Sequence, residues 1–391
     1  MRMRKERNHI DLATLIAVLT LMTLSLGVVY SASSTWVLLK SGSSEKLLGS
    51  HALKVLLGFA MIFVFMQVDY QKYRKMTKPV LLGAIALLLV TLALGGEVKG
   101  ATRWLRFGGF GLQPSEFAKY ALIFHLCVLL AGKKDRIKEF KQGFLPTMIW
   151  IGCVTLLVLV QPNFSTGVMI FAISLMLLFV GRAKLSHMLL TFGALVPVLV
   201  VYVMSAEYRM RRVLSFFNGS PDDGGHANYQ LWQGIIGFGN GGILGLGPGL
   251  SRQRELFLPE SYGDFVFSII GEEYGLVGTI FVLLLFLTIL LRGMKIAKNA
   301  PDELGRYLSV GITVSIALYA VVNAAVTLGI VPTTGLPMPF VSYGGSAMLF
   351  SSVAVGVLLN ISAQTDMRPR LPRGAGSVTP LVPVAATGGV R

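Results

Sequence analysis

The sequence predicts an all-α polytopic membrane protein with ten transmembrane helices, both termini cytoplasmic, and a large extracytoplasmic loop between the seventh and eighth helices. Three observations lead there. The 391 residues are 53% hydrophobic and only 14% charged, where a soluble chain would carry roughly a quarter charged residues. Apolar runs recur at about the 20-residue length that a bilayer core demands. The basic residues gather in alternate connecting segments, which fixes an orientation.

The spans fall at about 11–30, 47–68, 79–95, 116–131, 144–160, 164–181, 188–205, 264–291, 305–328 and 344–362. With the N-terminus inside, the inner segments are MRMRKER, DYQKYRKMTK, GKKDRIKEFK, RAKLSH, RGMKIAKNAPDELGR and a tail with Arg368, Arg370, Arg373 and Arg391. Together they hold 23 of the 35 Lys and Arg. The net charge of +16 is thus mostly an orientation signal, and no nucleic-acid partner is expected. The other basic residues lie outside or near the outer ends of spans.

The basic start and the small residues of YSASS (Tyr30–Ser34) imitate a signal peptide. The run is long for one and more spans follow, so an uncleaved first helix is expected. Cys127 and Cys153 fall within spans, which implies no disulfide framework. The histidines are scattered without metal-ligand spacing. The chain then divides into a basic N-terminus (1–10), a transmembrane domain (11–362, with the outer loop at 206–263) and a Pro/Gly-rich tail (363–391) expected to be disordered.

Three outer segments are rich in Gly, Pro and aromatics: 95–115, 206–263 and 329–345. Irregular backbone at membrane depth is tolerated only where it is buried in protein or lines a cavity, so three on one side suggest one site. In the first, KGATRWLRF carries Lys99, Arg103, Trp104 and Arg106 where the orientation rule disfavours cations. This is either an interfacial anchor or a surface for phosphate and sugar. In QPSEFAK, Pro114 opens a helix, and Glu116 and Lys119 share a face three residues apart. They form a local ion pair or line a polar pocket, with Lys119 available to a phosphate.

In the second segment, YRMRRVLSFF (Tyr208–Phe217) reads as an interfacial amphipathic helix bearing Arg209, Arg211 and Arg212. GFGNGG (Gly237–Gly242) has the spacing of a dinucleotide fingerprint but follows no strand, so a re-entrant glycine turn is expected. Further on, LPESYGDFVFSIIGEEYG puts Asp264 at the start of a span. Glu272 follows roughly 12 Å along the helix and about 80° around it, with Glu273 opposite Asp264. Carboxylates at membrane depth are costly and mark function. Asp264 either caps its helix or meets an aqueous substrate at the boundary. Glu272 and Glu273 are expected as buried partners of Arg, Lys or backbone groups.

Together these motifs resemble the SEDS family (shape, elongation, division, sporulation) of bacterial cell-wall synthesis. KGATRWLRFGGFGLQPSEFAK, LPESYGDFVFSIIGEEYGLVG and GIVPTTGLPMPFVSYGGSAMLF match in order, and the likeness runs from YSASS to GVLLNIS. GLPMPF followed by SYGGS, YSASS and the APDELGR loop lean toward the division branch; the elongation branch and a lipid II flippase are the alternatives. Where the family commonly has His-Thr or His-Ser before its aspartate, this chain has Tyr262–Gly263, so no hydroxyl or imidazole role carries over.

The resemblance implies a peptidoglycan glycosyltransferase that polymerises lipid II, an undecaprenyl-pyrophosphate disaccharide-pentapeptide. Asp264 matches the proposed catalytic base. The implied substrate contacts are Lys99, Arg103, Trp104, Glu116, Lys119, Arg209, Arg212, Gln233, Glu260, Ser342 and Tyr343. Glu272, Glu273 and Pro339 are carried as pocket structure. No cofactor is required by these residues, though a divalent Mg or Mn ion is an alternative way to neutralise pyrophosphate. The implied partners are a class B penicillin-binding transpeptidase and divisome regulators, at the septal inner membrane.

Overall fold

A computed structural model of the chain describes residues 9–41, 45–98, 101–107, 110–205, 225–258 and 261–365, with single positions at 210, 214 and 216. Among these, nine helices are long and apolar enough to cross a membrane. They are α1 (Leu12–Ser41), α2 (Glu45–Gln67), α3 (Thr77–Leu94), α4 (Pro114–Lys133), α5 (Leu145–Val160), α7 (Leu185–Met204), α9 (Val266–Lys298), α10 (Glu303–Thr327) and α11 (Gly345–Ser362). A tenth apolar helix, α6 (Phe164–Val180), has 17 residues. These ten helices fall on the ten apolar runs of the sequence.

The bundle is organised around α4, α10 and α11, its most buried spans, while α7 lies at the periphery. The α2 helix runs along α11, α9 along both α1 and α10, and α4 against α3 and α10. Small residues and serines on α10 and α11 let the helices approach, as expected where lipid gives no hydrophobic drive for helix association.

Three features depart from the sequence expectations. The first outer segment is not irregular: β1 (Gly96–Val98), β2 (Ala101–Phe107) and β3 (Phe110–Leu112) form a three-stranded antiparallel sheet. Aromatic and β-branched residues in ATRWLRF suit a pleated ribbon, and Trp104 pairs with Gly96 while Leu105 pairs with Leu112. The expected loop at 206–263 contains a helix, α8 (Gly225–Gly241). And the eighth span is longer than expected and broken, because Gly275 within α9 has φ 63 and ψ −160.

That break has a cause on the other side of the contact. After α8, the chain lays GGILGLG against the broken turn of α9. Leu246 N donates to Glu272 O (2.9 Å), Gly247 N to Glu273 O (3.0 Å) and Leu276 N to Gly242 O (2.9 Å). A Cβ on Gly245 would lie 2.2 Å from Glu273 O, and one on Gly275 2.4 Å from Gly245 N. Only glycine permits this approach and this φ. The dinucleotide-like spacing of GFGNGG therefore serves backbone-to-backbone packing.

At the opposite end of the bundle, Asp11 precedes α1 and binds Arg292 of α9, with Arg292 Nε donating at 2.9 Å. Thr14 N and Oγ1 also donate to it, at 2.9 and 3.0 Å, and Asp11 N donates to Ser362 Oγ at 3.0 Å. The three elements α1, α9 and α11 are thereby clamped. Burial pushes the Asp11 carboxyl up, but the bonds from Arg292 and Thr14 outweigh it and hold the group below the usual carboxylate range.

Candidate functional site

Asp264 lies in a turn before α9. The N-cap of that helix is Phe265, so Asp264 stands outside the capping position that its spacing suggested. Its main chain is fixed by Asn323 of α10, whose Nδ2 donates to Asp264 O (2.7 Å) and to Leu336 O (2.8 Å). One buried amide thus ties the aspartate turn to the third outer segment. The carboxylate itself faces that segment: a Cβ built on Gly335 would lie 3.5 Å from Asp264 Oδ2. Asp264 is half-buried, open enough to meet a substrate.

The third segment is locked by its own turn. Ser342 Oγ accepts from Met338 N (2.8 Å) around buried Pro339, so Ser342 shapes the turn. Tyr343 N donates to Tyr262 O (2.9 Å), and the two rings meet edge to face at 5.7 Å. Burial, with Tyr343 beside it, raises the Tyr262 phenol above its ordinary value and keeps it neutral. Tyrosine at the place of the family's His thus supplies packing. The first segment joins through Ser346 at the start of α11, whose Oγ accepts from Gln113 N (2.9 Å) and donates to Gly111 O (3.2 Å). Parts of the three outer segments therefore meet around the Asp264 turn.

Glu116 and Lys119 form an ion pair at 2.7 Å in the first turns of α4, with side chains 3% and 4% exposed. Lys119 Nζ sits 3.9 Å from the Tyr319 ring centroid and 4.8 Å from that of Tyr120. Tyr319 lies one turn below Asn323 on α10, so the pair underlies the Asp264 turn by about 6 Å of helix rise. Enclosed in this way, Lys119 is a charge partner for Glu116 and a prop for α10. Arg103 is half-buried on β2 and donates to Pro162 O at the α5–α6 turn. Trp104, also half-buried, lays its ring over Gly111, where an added Cβ would lie 3.4 Å from it. Gln233 is half-buried on α8.

Glu272 and Glu273 are both engaged by protein groups, and both reach the chain that follows α8. Glu272, fully buried, accepts from Asn240 Nδ2 (3.1 Å), Gln253 N (3.1 Å) and Ser251 Oγ. Glu273 accepts from Ser31 Oγ of α1. They anchor the chain after α8 and join α9 to α1. Lys99, Arg209, Arg212 and Glu260 lie outside the described residues. Among the described residues no three His, Cys, Asp or Glu side chains converge to hold a metal. Cys127 and Cys153 are free thiols.

Sequence reasoning missed two residues of α2. Lys54 Nζ donates to Tyr343 OH at 2.8 Å, and the His51 ring lies 5.5 Å from that of Tyr343. Their signal was a Lys and a His three apart in an otherwise apolar run, which helical spacing puts on one face.

Among the described residues, the fold is thus a helical bundle of candidate membrane spans with a half-buried carboxylate, Asp264, where the outer segments meet. The family model described as "Cell cycle protein", FtsW/RodA/SpoVE, matches residues 12–367, and the chain belongs to that family. A probable peptidoglycan glycosyltransferase FtsW of Geobacter metallireducens is 37% identical over 367 residues, 93% of this chain and 98% of the relative. One of the same name from Trichlorobacter lovleyi is 39% identical over 92% of this chain and 94% of its own length. Stage V sporulation protein E of Bacillus subtilis is 36% identical over 92% and 99%. Among solved structures, a chain of a peptidoglycan synthase complex aligns with TM-score 0.75 at 24% identity, covering 90% of this chain and 97% of that one. The rod shape determining protein RodA of Thermus thermophilus aligns at 0.66 and 23%, covering 90% and 96%. The fold is shared with both.

Proposed function

We propose that the chain is a peptidoglycan glycosyltransferase that polymerises lipid II into β-1,4 glycan for the division septum, with Asp264 as general base. Two relatives that match it over nearly their full length are named probable peptidoglycan glycosyltransferase FtsW. The observation that carries the reading is the setting of Asp264, half-buried and facing the third segment, its main chain held by Asn323.

In this reading the Asp264 turn is on the outer face and both termini are cytoplasmic. The acceptor sugar hydroxyl attacks the anomeric carbon of the donor. Asp264 takes the hydroxyl proton. The carbon–oxygen bond to pyrophosphate breaks as the new glycosidic bond forms, and the lipid pyrophosphate departs with its electron pair. Direct displacement inverts an α-linked donor to a β-linked product. The leaving group is already good, so no carboxylic acid is needed to protonate it, unlike in glycoside hydrolysis. Cations must meet the departing charge; Arg103, with Lys99, Arg209 and Arg212, takes that role. Trp104, Gln233, Glu260 and Tyr343 are carried as further substrate contacts. A Mg or Mn ion arriving with the pyrophosphate is tested by adding it.

A lipid flippase needs polar groups along a path near the midplane. The deep carboxylates Glu272 and Glu273 are instead engaged by protein groups, which supports the enzyme reading. A class B penicillin-binding transpeptidase is the proposed partner, with divisome regulators acting on the pair. The test is polymerisation of labelled lipid II by the purified chain with its cognate transpeptidase, with and without Mg or Mn, comparing wild type with Asp264→Asn. Polymer from wild type and none from folded Asp264→Asn is expected. Equal polymer from both would remove Asp264 as base.

A further inference from the structure

Lys54 is a cation well inside an apolar helix, and among the described residues it makes no ion pair. Its partners are the hydroxyl and ring of Tyr343, neither of them a counter-charge. The side chain runs along the start of α11, where a Cβ on Gly345 would lie 3.3 Å from Lys54 Cε. The start of a helix is the positive end of its dipole, which disfavours a second positive charge. Lys119, by contrast, is neutralised by Glu116. A partly buried charge without a counter-charge is costly in a membrane and marks function.

The geometry directs this charge toward Tyr343, which packs on the Asp264 turn through Tyr262. Side chains lean toward the N-terminus of their helix, which for α2 is the end that carries the three converging segments. Tyr343 OH sits between Lys54 Nζ at 2.8 Å and Ser50 Oγ at 3.5 Å. The ammonium also lies 3.9 Å from the Tyr343 ring centroid. Tyr343 and Tyr262 are bonded through the main chain, two residues from Asp264. His51, though adjacent, is turned to Ser25 Oγ at 3.0 Å, so Lys54 is the group facing the site.

We propose that Lys54 is a substrate-binding residue of this site, its ammonium taking the diphosphate of the lipid-linked donor with Tyr343 holding it in place. This rests on the glycosyltransferase reading. The anionic parts of such a substrate are its diphosphate and the carboxylates of its peptide. Lys54 lies inside the candidate span Lys46–Gln67, a position that favours the diphosphate joined directly to the lipid over a peptide that extends into water. The site therefore takes a polyprenyl diphosphate.

The probe is farnesyl diphosphate, which has neither sugar nor peptide, binding to the purified full-length chain in detergent. Wild type should bind it more tightly than farnesyl monophosphate. Lys54→Met should weaken binding about 10- to 100-fold, the range for losing one charge-assisted hydrogen bond, with kcat/KM for lipid II falling in parallel. Lys54→Arg should restore most of both. Unchanged farnesyl diphosphate affinity in folded Lys54→Met overturns the proposal. So does equal displacement of the probe by phosphatidylglycerol, which would make this a general anionic-lipid contact. If Lys54→Met does not fold, Lys54→Gln removes the charge and keeps a donor for Tyr343. Protection of wild-type Lys54 from amine acylation, read by mass spectrometry, needs no variant: equal acylation with and without farnesyl diphosphate also refutes it. Binding does not depend on turnover. A wild type that polymerises while Lys54→Met binds normally sinks only this proposal; a wild type that never polymerises sinks the reading beneath it.

Discussion

Asn323→Ala tests whether the aspartate is held by α10. Asn323 is 1% exposed and donates both amide hydrogens to main-chain carbonyls, those of Asp264 and Leu336. Two carbonyl acceptors fix the orientation of the amide, since the flipped form would set oxygen against oxygen. Truncation leaves both carbonyls without this donor, at about 1–3 kcal/mol for each that stays buried and unsatisfied. A total of about 2–4 kcal/mol follows, because the turn can relax and part of the cost is recovered. The functional effect should exceed the loss of stability in importance. Asp264 and Gly335 would no longer be tied to one group, and a misplacement of about 1 Å at a reacting centre costs on the order of 100-fold. The assay is lipid II polymerisation by the folded variant, alongside thermal unfolding in detergent. A fall of about 100-fold in kcat/KM with a lowered unfolding temperature is expected. Wild-type turnover in a folded Asn323→Ala would refute the argument that this amide positions the base.

Three other outcomes follow from the geometry. Lys119→Met leaves Glu116 buried without its partner and should cost about 3–5 kcal/mol; the double variant with Glu116→Gln should regain stability and polymerisation together, whereas a stable but inactive double variant would give Lys119 a direct role on substrate. Gly275→Ala puts a Cβ 2.4 Å from Gly245 N at φ 63, so it should destabilise more than Gly83→Ala, where nothing lies within 4 Å, as read by thermal unfolding. Asp11→Asn should lower stability at pH 7 by about 1–3 kcal/mol, as expected for a charged hydrogen-bonding group. Because the folded Asp11 carboxyl is held below its ordinary value, that contribution is present above about pH 4 and fades as the pH falls through the folded value. A wild-type-minus-variant difference that stayed constant down to acid pH would contradict this.

The sequence by itself determined the class of the fold and marked a candidate site. Ten apolar runs and one-sided charge need no tertiary information, because the bilayer imposes length and polarity locally. Asp264 was legible as a carboxylate at a span boundary, and the three outer segments as Gly-, Pro- and aromatic-rich chain at one end, though the first proved to be a three-stranded sheet. What these groups touch was not legible. Helical spacing placed Glu116 beside Lys119 but could not show Tyr319 closing over the pair. It treated Asp264, Glu272 and Glu273 as one helix, whereas Asp264 precedes the helix and Gly275 breaks it beyond the two glutamates. The reason is that α9 is shaped by the chain after α8, and such backbone-to-backbone contacts leave no periodic trace except their glycines. Lys54 was equally hidden, since its meaning depends on Tyr343, far along the chain, and on the start of α11 beside it. Local sequence sets where a charge sits along its own helix; only the packing of helices from distant parts of the chain decides which charges are paired and which are left to meet a ligand.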